Sequence, residues 1–203
     1  MGVLNRIRAT VQESNQLFLE TIKNYILFDY ENHSILLKEK SVLLLCHQAV
    51  KRVKQLKRLE PDLSEGLIAT IEHNKFQVKI HFTPEKITLN KDNIEGKLRL
   101  LTKPQFETEN TIYRYFIAGW QNFLGGKIPN AVLPENIRIE NEIIHYCMPR
   151  NQSQLMEALF SSLKTESALT TNLKQGELTI KTSAALSLSR NDFNTQRLLK
   201  LLH

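Results

Sequence analysis

The sequence predicts an α+β protein in which helices cover an antiparallel sheet of about seven strands and an N-terminal helical region precedes the sheet. Three observations support this class. Apolar residues recur at helical spacing within residues 4–26 and 41–59. Polar and apolar residues alternate over residues 76–82, which is typical of a strand with one solvated face. Residues 108–126 follow a helical pattern again and contain the only tryptophan, Trp120.

The N-terminal part of the chain is predicted to be helical. In residues 4–26 the apolar side chains fall mostly on one side of a helix. In residues 41–59 one helical face carries Val42, Leu45, Cys46, Ala49, Val53 and Leu56. Pro61 ends that pattern because proline cannot continue a helix. We therefore expect a helical region over residues 1–70 and an antiparallel α+β domain over residues 71–203, or one continuous domain.

The remainder of the chain is predicted to supply the sheet and its covering helices. The predicted strands are residues 76–82, 87–89, 94–101, 137–139, 143–147, 178–180 and 186–188. Several of them are joined by short polar turns, which favours antiparallel pairing. The polar run 164–175 is predicted to be a connection without regular structure. Helices are predicted around residues 155–163 and 193–202, where leucines recur on one face.

The helix predicted over residues 108–126 has recognisable ends. Thr108 is a suitable N-cap, and Gly125-Gly126 offers a residue that is free to adopt a positive φ at the C-terminus. The apolar face of this helix contains Ile112, Phe116, Trp120 and Phe123. We expect this face to cover the apolar side of the sheet.

The charge of the chain is concentrated in one segment. The net charge is +6, and residues 38–60 contain seven basic and two acidic residues. On the predicted second helix, Lys51, Lys54 and Arg58 line one side within residues 47–58. Such a basic strip can bind an acidic protein surface, nucleic acid or an anionic membrane, or it can be the solvated side of a surface helix.

Cysteine usage and hydropathy predict a cytoplasmic protein. Cys46 and Cys147 lie far apart in apolar surroundings, so both are predicted to be buried thiols in a reducing compartment. The longest apolar run, residues 41–50, is too short to cross a bilayer. The first residues lack the apolar core of a signal peptide.

No sequence motif indicates catalysis or a cofactor. Gly-x-Ser-x-Gly, Cys-x-x-Cys and His-Glu-x-x-His are all missing. Residues of metal-binding type occur at His145 and Cys147, with His81 as a third, but a surface histidine and a packed thiol explain these residues better. Pairs of carboxylates fall in predicted turns or at a helix start, where they are solvated. We therefore predict neither enzymatic activity nor a metal or cofactor.

Two functions remain open from the sequence. The first is a non-catalytic interaction or adaptor module whose basic helix face, with Lys51, Lys54 and Arg58, binds an anionic partner. The alternative is a carrier of an apolar or lipid-like ligand in a cavity between the sheet and the Trp120 helix. That cavity would be lined by Phe116, Gly119, Trp120 and Phe123.

Overall fold

The protein is mainly an antiparallel β-sheet. The structure, a computed structural model, describes residues 23–29, 31–73, 76–108, 136–140, 142–150 and 167–182. Strands take up 63% of these residues and helix 14%, so the predicted α+β class with an N-terminal helical region is wrong. The prediction of an antiparallel sheet is confirmed, and its size was underestimated, since eleven strands are present in the described residues.

Within the described ranges the elements are eleven strands and one helix. The strands are β1 (Ile26–Asp29), β2 (Ser34–Leu37), β3 (Leu56–Pro61), β4 (Leu67–His73), β5 (Phe76–Leu89), β6 (Asn93–Leu100), β7 (Gln105–Glu107), β8 (Ile137–Glu140), β9 (Ile143–Pro149), β10 (Ser167–Lys174) and β11 (Glu177–Thr182). The helix is α1 (Glu39–Arg52). The helix predicted over residues 4–26 lies outside the described residues up to residue 22, and the helix predicted over residues 108–126 lies outside them from residue 109 onward. The helices predicted at residues 155–163 and 193–202 and the strand predicted at residues 186–188 also lie outside them.

The sheet is organised around β5, a strand of 14 residues. Its first half pairs with β4 on one side and β7 on the other, and its second half pairs with β10 and β6. The main path through the sheet runs β1-β2-β11-β10-β5-β6-β9-β8, and β3 pairs with β4. Strands that precede residue 70 and strands that follow it therefore belong to one sheet.

A bulge explains why β5 was predicted to be two strands. Between Pro84 and Lys86 the pairing with β6 shifts register, so that Glu85 is an extra residue on β5. The alternation of polar and apolar residues breaks at this point, although the strand continues. Because a bulge bends the strand that contains it, the two halves of β5 can pair with different neighbours.

A second bulge explains why the helix was predicted to extend to residue 59. The helix ends at Arg52, and Val53 has an extended backbone with φ −99° and ψ 104°. Leu56 and Leu59 are spaced as on a helix, but they lie on β3, where the register shifts between Leu56 and Arg58. The extra residue puts both leucines against the same apolar cluster in spite of their spacing of three. Helical spacing is thus imitated by a bulged strand.

Other parts of the helical region predicted over residues 1–70 are also strands. β1 and β2 pair as a hairpin, which the turn formers of residues 31–34 had left open beside a helix-to-helix loop, and residues 67–73 form β4. Residues 167–174, predicted to be a polar connection, form β10. In β10 only alternate residues are buried, and its buried apolar residues are Leu169 and Leu173. Two apolar residues are too weak a pattern for a strand to be recognised locally.

The buried apolar side chains form two clusters. The first joins α1, through Val42 and Cys46, to the strands β1, β2, β5, β6, β10 and β11. Leu89 and Ile94, both 0% exposed, lie at its centre and pair directly across β5 and β6. The second cluster lies between the first half of β5, β4 and β9, and contains Val78, Ile80 and Ile144. Over the second half of β5 and the adjoining part of β6, the residues that alternate with the first cluster are polar, namely Lys86, Thr88, Glu95 and Lys97.

Candidate anion-binding face

Strand pairing aligns four basic side chains across the second half of the sheet. Lys86 on β5 is directly opposite Lys97 on β6. Lys97 is in turn opposite His145 on β9, and His145 is opposite Arg138 on β8. Directly paired residues in an antiparallel sheet project from the same face, so these side chains form a row across four adjacent strands. We call this set, Lys86, Lys97, His145 and Arg138, the basic row.

The basic row is accessible to solvent. Lys86, Lys97 and Arg138 are exposed and His145 is half-buried. All four line a groove of about 480 Å³ on this face of the sheet. On the other side the register continues beyond Lys86 through Thr170 on β10 to Lys181 on β11, both of which are exposed. A band of hydrophilic groups therefore crosses six strands.

The opposite face of the same strands is apolar and holds the row in place. The adjacent set of paired residues consists of Ile87, Gly96, Tyr146 and Ile137. A β-carbon at position 96 would overlap the Tyr146 ring, so Gly96 lets this ring lie across the backbone of β6. Burial raises the pKa of the Tyr146 phenol to about 12, and the phenol stays neutral. The ring therefore fixes the pairing of β6 with β9, which sets Lys97 opposite His145.

Within the described part of the chain, the two lysines and the arginine of the row have no carboxylate partner. Among the residues that the structure describes, Lys86, Lys97 and Arg138 form no ion pair within 4.0 Å. Arg99, two residues beyond Lys97 on β6, shows the contrast, since it contacts Glu85 at 2.6 Å and Glu65 at 3.2 Å. The hydrogen bond that Arg99 donates to the Glu85 carboxylate is the main reason that the pKa of Arg99 is raised. Like charges placed directly opposite one another destabilise a sheet, so the row is unfavourable in the absence of a bound anion.

Acidic and neutral groups border the row. Glu95 on β6 and Glu140 on β8 are exposed and line the groove, two residues along the strand from Lys97 and Arg138. The side chain of Asn90 donates a hydrogen bond of 2.8 Å to Glu95 Oε1. Thr88, Asn136 and Cys147 complete the border. In the groove, the basic row therefore lies between the carboxylates of Glu95 and Glu140.

The basic residues that the sequence singled out lie elsewhere. Lys51 is in the last turn of α1, Lys54 is in the turn that follows, and Arg58 is on β3. All three are exposed, but they do not share a helical face because the helix ends at Arg52. Arg58 is paired with Glu60 at 2.6 Å. The predicted basic helix over residues 47–58 is thus wrong from residue 53 onward, and the binding role of its residues stays a prediction.

The remaining sequence candidates have separate outcomes. Phe116, Gly119, Trp120 and Phe123 lie outside the described residues, so the carrier hypothesis stays a prediction. His81 Nε2 lies 2.8 Å from the Glu65 carbonyl oxygen. Within the described ranges no three histidine, cysteine, aspartate or glutamate residues are grouped so that they could hold a metal ion.

The two thiols differ in environment, and the prediction that both are buried is wrong. Cys46 is 2% exposed, whereas Cys147 is exposed at the border of the groove. Burial raises the pKa of the Cys46 thiol to about 12, so almost none of it is thiolate near neutral pH.

We expect one thiol per native molecule to react with N-ethylmaleimide at pH 8 and the second to react only after unfolding. Peptide mass spectrometry should place the first label on Cys147. Equal rates of labelling at Cys46 and Cys147 in the native protein would contradict the burial of Cys46.

Sequence reasoning missed the basic row because its members are far apart in the chain. Alternation does place Glu95, Lys97 and Arg99 on one side of a strand, and the same pattern around His145 gives it a solvated face. No local signal tells which residue of β9 is opposite Lys97. The row exists only through the register of the sheet.

Comparison of the chain with known protein families, with curated proteins and with solved structures found no match. In the part of the chain that the structure describes, no helix is long and apolar enough to cross a membrane.

Proposed function

We propose that the protein is a non-catalytic binding module for an anionic partner and that the basic row is its binding site. The single observation that supports this most strongly is the alignment of Lys86, Lys97, His145 and Arg138 across four strands. The site proposed from the sequence was the helix face with Lys51, Lys54 and Arg58. The proposed partner is still anionic, as in the proposal from the sequence, but the proposed binding site is now on the sheet.

In the free protein, Lys86 and Lys97 repel each other across the β5–β6 pair. Directly opposed like charges destabilise a strand pair, and a surface charge pair of opposite sign contributes up to about 1 kcal/mol. An anion that bridges neighbouring cations turns this repulsion into attraction. Its binding to the basic row is therefore favoured both by new contacts and by relief of repulsion.

A non-catalytic role fits the chemistry of the groove. Among the described residues that line the groove, Cys147 is the one cysteine and His145 is the one histidine, and they lie two residues apart on β9. No hydrogen bond joins these two side chains in the described structure, whereas a nucleophile activated by a base needs one. We also infer a cytoplasmic location, since a free exposed thiol such as Cys147 is typical of a reducing compartment.

Neutralising the row should weaken anion binding. We expect the triple variant Lys86→Gln, Lys97→Gln and Arg138→Gln to bind anions about 10- to 100-fold more weakly than the wild type. This range corresponds to the loss of about 0.5 to 1 kcal/mol for each of three contacts. Calorimetric titration with inorganic phosphate, pyrophosphate, heparin, duplex DNA and anionic vesicles would measure the change, because this panel covers the main classes of anion.

The chain offers a matched control for this experiment. The triple variant Lys51→Gln, Lys54→Gln and Arg58→Gln also lowers the net charge from +6 to +3. It removes exposed charges outside the groove and should keep wild-type binding. If the control variant loses binding and the row variant keeps it, the site is the α1–β3 region. If neither variant changes binding of any anion in the panel, the proposed function is wrong.

A further inference from the structure

We propose that the partner of the basic row is a small soluble molecule with two phosphate groups about 10 Å apart, lying across the strands. This inference rests on the proposed function and deepens it. It follows from the spacing of the cations, the size of the groove and the nature of its border.

The four side chains of the basic row divide into two neighbouring pairs. Directly opposed residues have β-carbons about 4.5 to 5.5 Å apart, so Lys86 and Lys97 can contact one anionic group together. His145 and Arg138 form the second pair in the same way. A phosphate group suits such a pair because it has three strong acceptor oxygens and up to about two negative charges.

The spacing of strands sets the distance between the two phosphates. The midpoints of the pairs Lys86–Lys97 and His145–Arg138 are separated by two strand spacings. Neighbouring strands lie about 4.8 Å apart, which gives about 10 Å between the phosphates. A chain of several atoms must therefore connect them. The groove volume of about 480 Å³ is within the usual range of about 300 to 1,000 Å³ for small-molecule sites.

The acidic border disfavours larger polyanions. Glu95 and Glu140 lie on the same face as the row and are exposed, so a flat anionic membrane would meet them together with the lysines. The hydrogen bond from Asn90 restrains Glu95 on this side of the row. Juxtaposed like charges select against the wrong partner. A narrow ligand that lies along the row avoids this repulsion.

Among the described residues that line the groove, none provides a surface on which a nucleobase could stack. Proteins that bind single-stranded nucleic acid stack its bases on aromatic side chains. Tyr146 is the one residue with a six-membered aromatic ring among those that line the groove, and its ring lies over Gly96 on the apolar side of the sheet. The row is therefore suited to the phosphates of a ligand and not to a run of bases.

The test compares probes that differ in the separation of their phosphates. Fructose 1,6-bisphosphate, pyrophosphate and inorganic phosphate would be titrated into the full-length protein at physiological ionic strength. The two phosphates of pyrophosphate share an oxygen atom and cannot reach both pairs. We expect the six-carbon bisphosphate to bind at least tenfold more tightly than either other probe and to slow the labelling of Cys147.

Variants of each half of the row test the two-point geometry. We expect Lys86→Gln with Lys97→Gln, and separately Arg138→Gln, to reduce bisphosphate affinity about tenfold, to the level of inorganic phosphate. The double variant Glu95→Gln with Glu140→Gln should instead increase the affinity for duplex DNA and for phosphatidylserine vesicles several-fold. Circular dichroism and thermal unfolding would show that each variant remains folded.

The two proposals fail in different ways. Equal affinity for the bisphosphate and inorganic phosphate would overturn the bisphosphate inference. Tighter binding of duplex DNA or vesicles than of the bisphosphate would overturn it too, and if the row variant lost that binding the proposed function would stand. An absence of binding of every anion, or binding that the row variant retains in full, would overturn both.

Discussion

Gly66→Ala is expected to lower the free energy of unfolding by about 2 to 5 kcal/mol. Gly66 has φ +83°, a conformation that residues with a β-carbon adopt at a cost. A β-carbon at this position would also overlap the carbonyl oxygen of Phe82 in β5 and crowd Leu101. Backbone atoms cannot move aside as a flexible side chain can. The change would therefore disturb the place where the chain between β3 and β4 passes over β5.

Gly66 also joins separate parts of the sheet. Its amide donates a hydrogen bond of 3.1 Å to the Leu173 carbonyl in β10, and its carbonyl accepts one of 2.9 Å from the Asp62 amide. The side chain of Asp62 accepts hydrogen bonds from Ser64, and these lower the pKa of that carboxyl group. A shift of the backbone at residue 66 would weaken these contacts together.

Gly176 provides the matched control. It has a similar φ of +76° in the turn between β10 and β11, but a β-carbon there would meet only the flexible Glu39 side chain, at 3.3 Å. Gly176→Ala should therefore cost about 1 kcal/mol, from backbone conformation alone. Urea unfolding followed by circular dichroism would measure both variants. Equal losses would show that crowding against Phe82 contributes nothing.

Leu89→Ala is expected to destabilise the protein by about 2 to 5 kcal/mol. Leu89 is 0% exposed and lies opposite Ile94 on one side and Ser167 on the other, at the centre of the first cluster. Truncation removes buried methyl groups and leaves a cavity that rigid strands on both sides cannot fill. The loss should appear as a lower urea midpoint with an unchanged slope.

Leu63→Ala is the control, because it removes the same apolar atoms from an exposed position. Leu63 is 94% exposed, so its truncation should change stability by less than about 0.5 kcal/mol. Should Leu89→Ala also cost less than this, the packing of β5, β6 and β10 would not be as described.

Part of the fold could be read from local patterns. Alternation identified the first half of β5, most of β6, the β8–β9 hairpin and β11, because a half-buried strand repeats every two residues. Two of the errors arose where a bulge altered this period. Lys57 on β3 produced helical spacing between Leu56 and Leu59, and Glu85 divided one long strand into two. In both places the extra residue belongs to a bulge in the pairing with a neighbouring strand.

The candidate site was less predictable than the fold. The sequence predicted a binding site within residues 38–60, where basic residues are close together in the chain. In the structure that segment is divided between α1 and β3, and its Lys57 and Arg58 pair with Glu72 and Glu60. Charge density along a sequence does not show which basic residues are paired with carboxylates in the folded protein.

By itself the sequence predicted the alternation of side chains along β6, β8 and β9, since the strand period is a local property. It did not determine every solvated position, because Cys147 on β9 was predicted to be buried and is exposed. Tertiary structure alone decided that Lys86, Lys97, His145 and Arg138 are aligned, because a slip of one residue in any strand pair would turn its side chains to the opposite face. The register is set by burial of the opposite face, where Ile87, Tyr146 and Ile137 pack, and the basic row is its consequence.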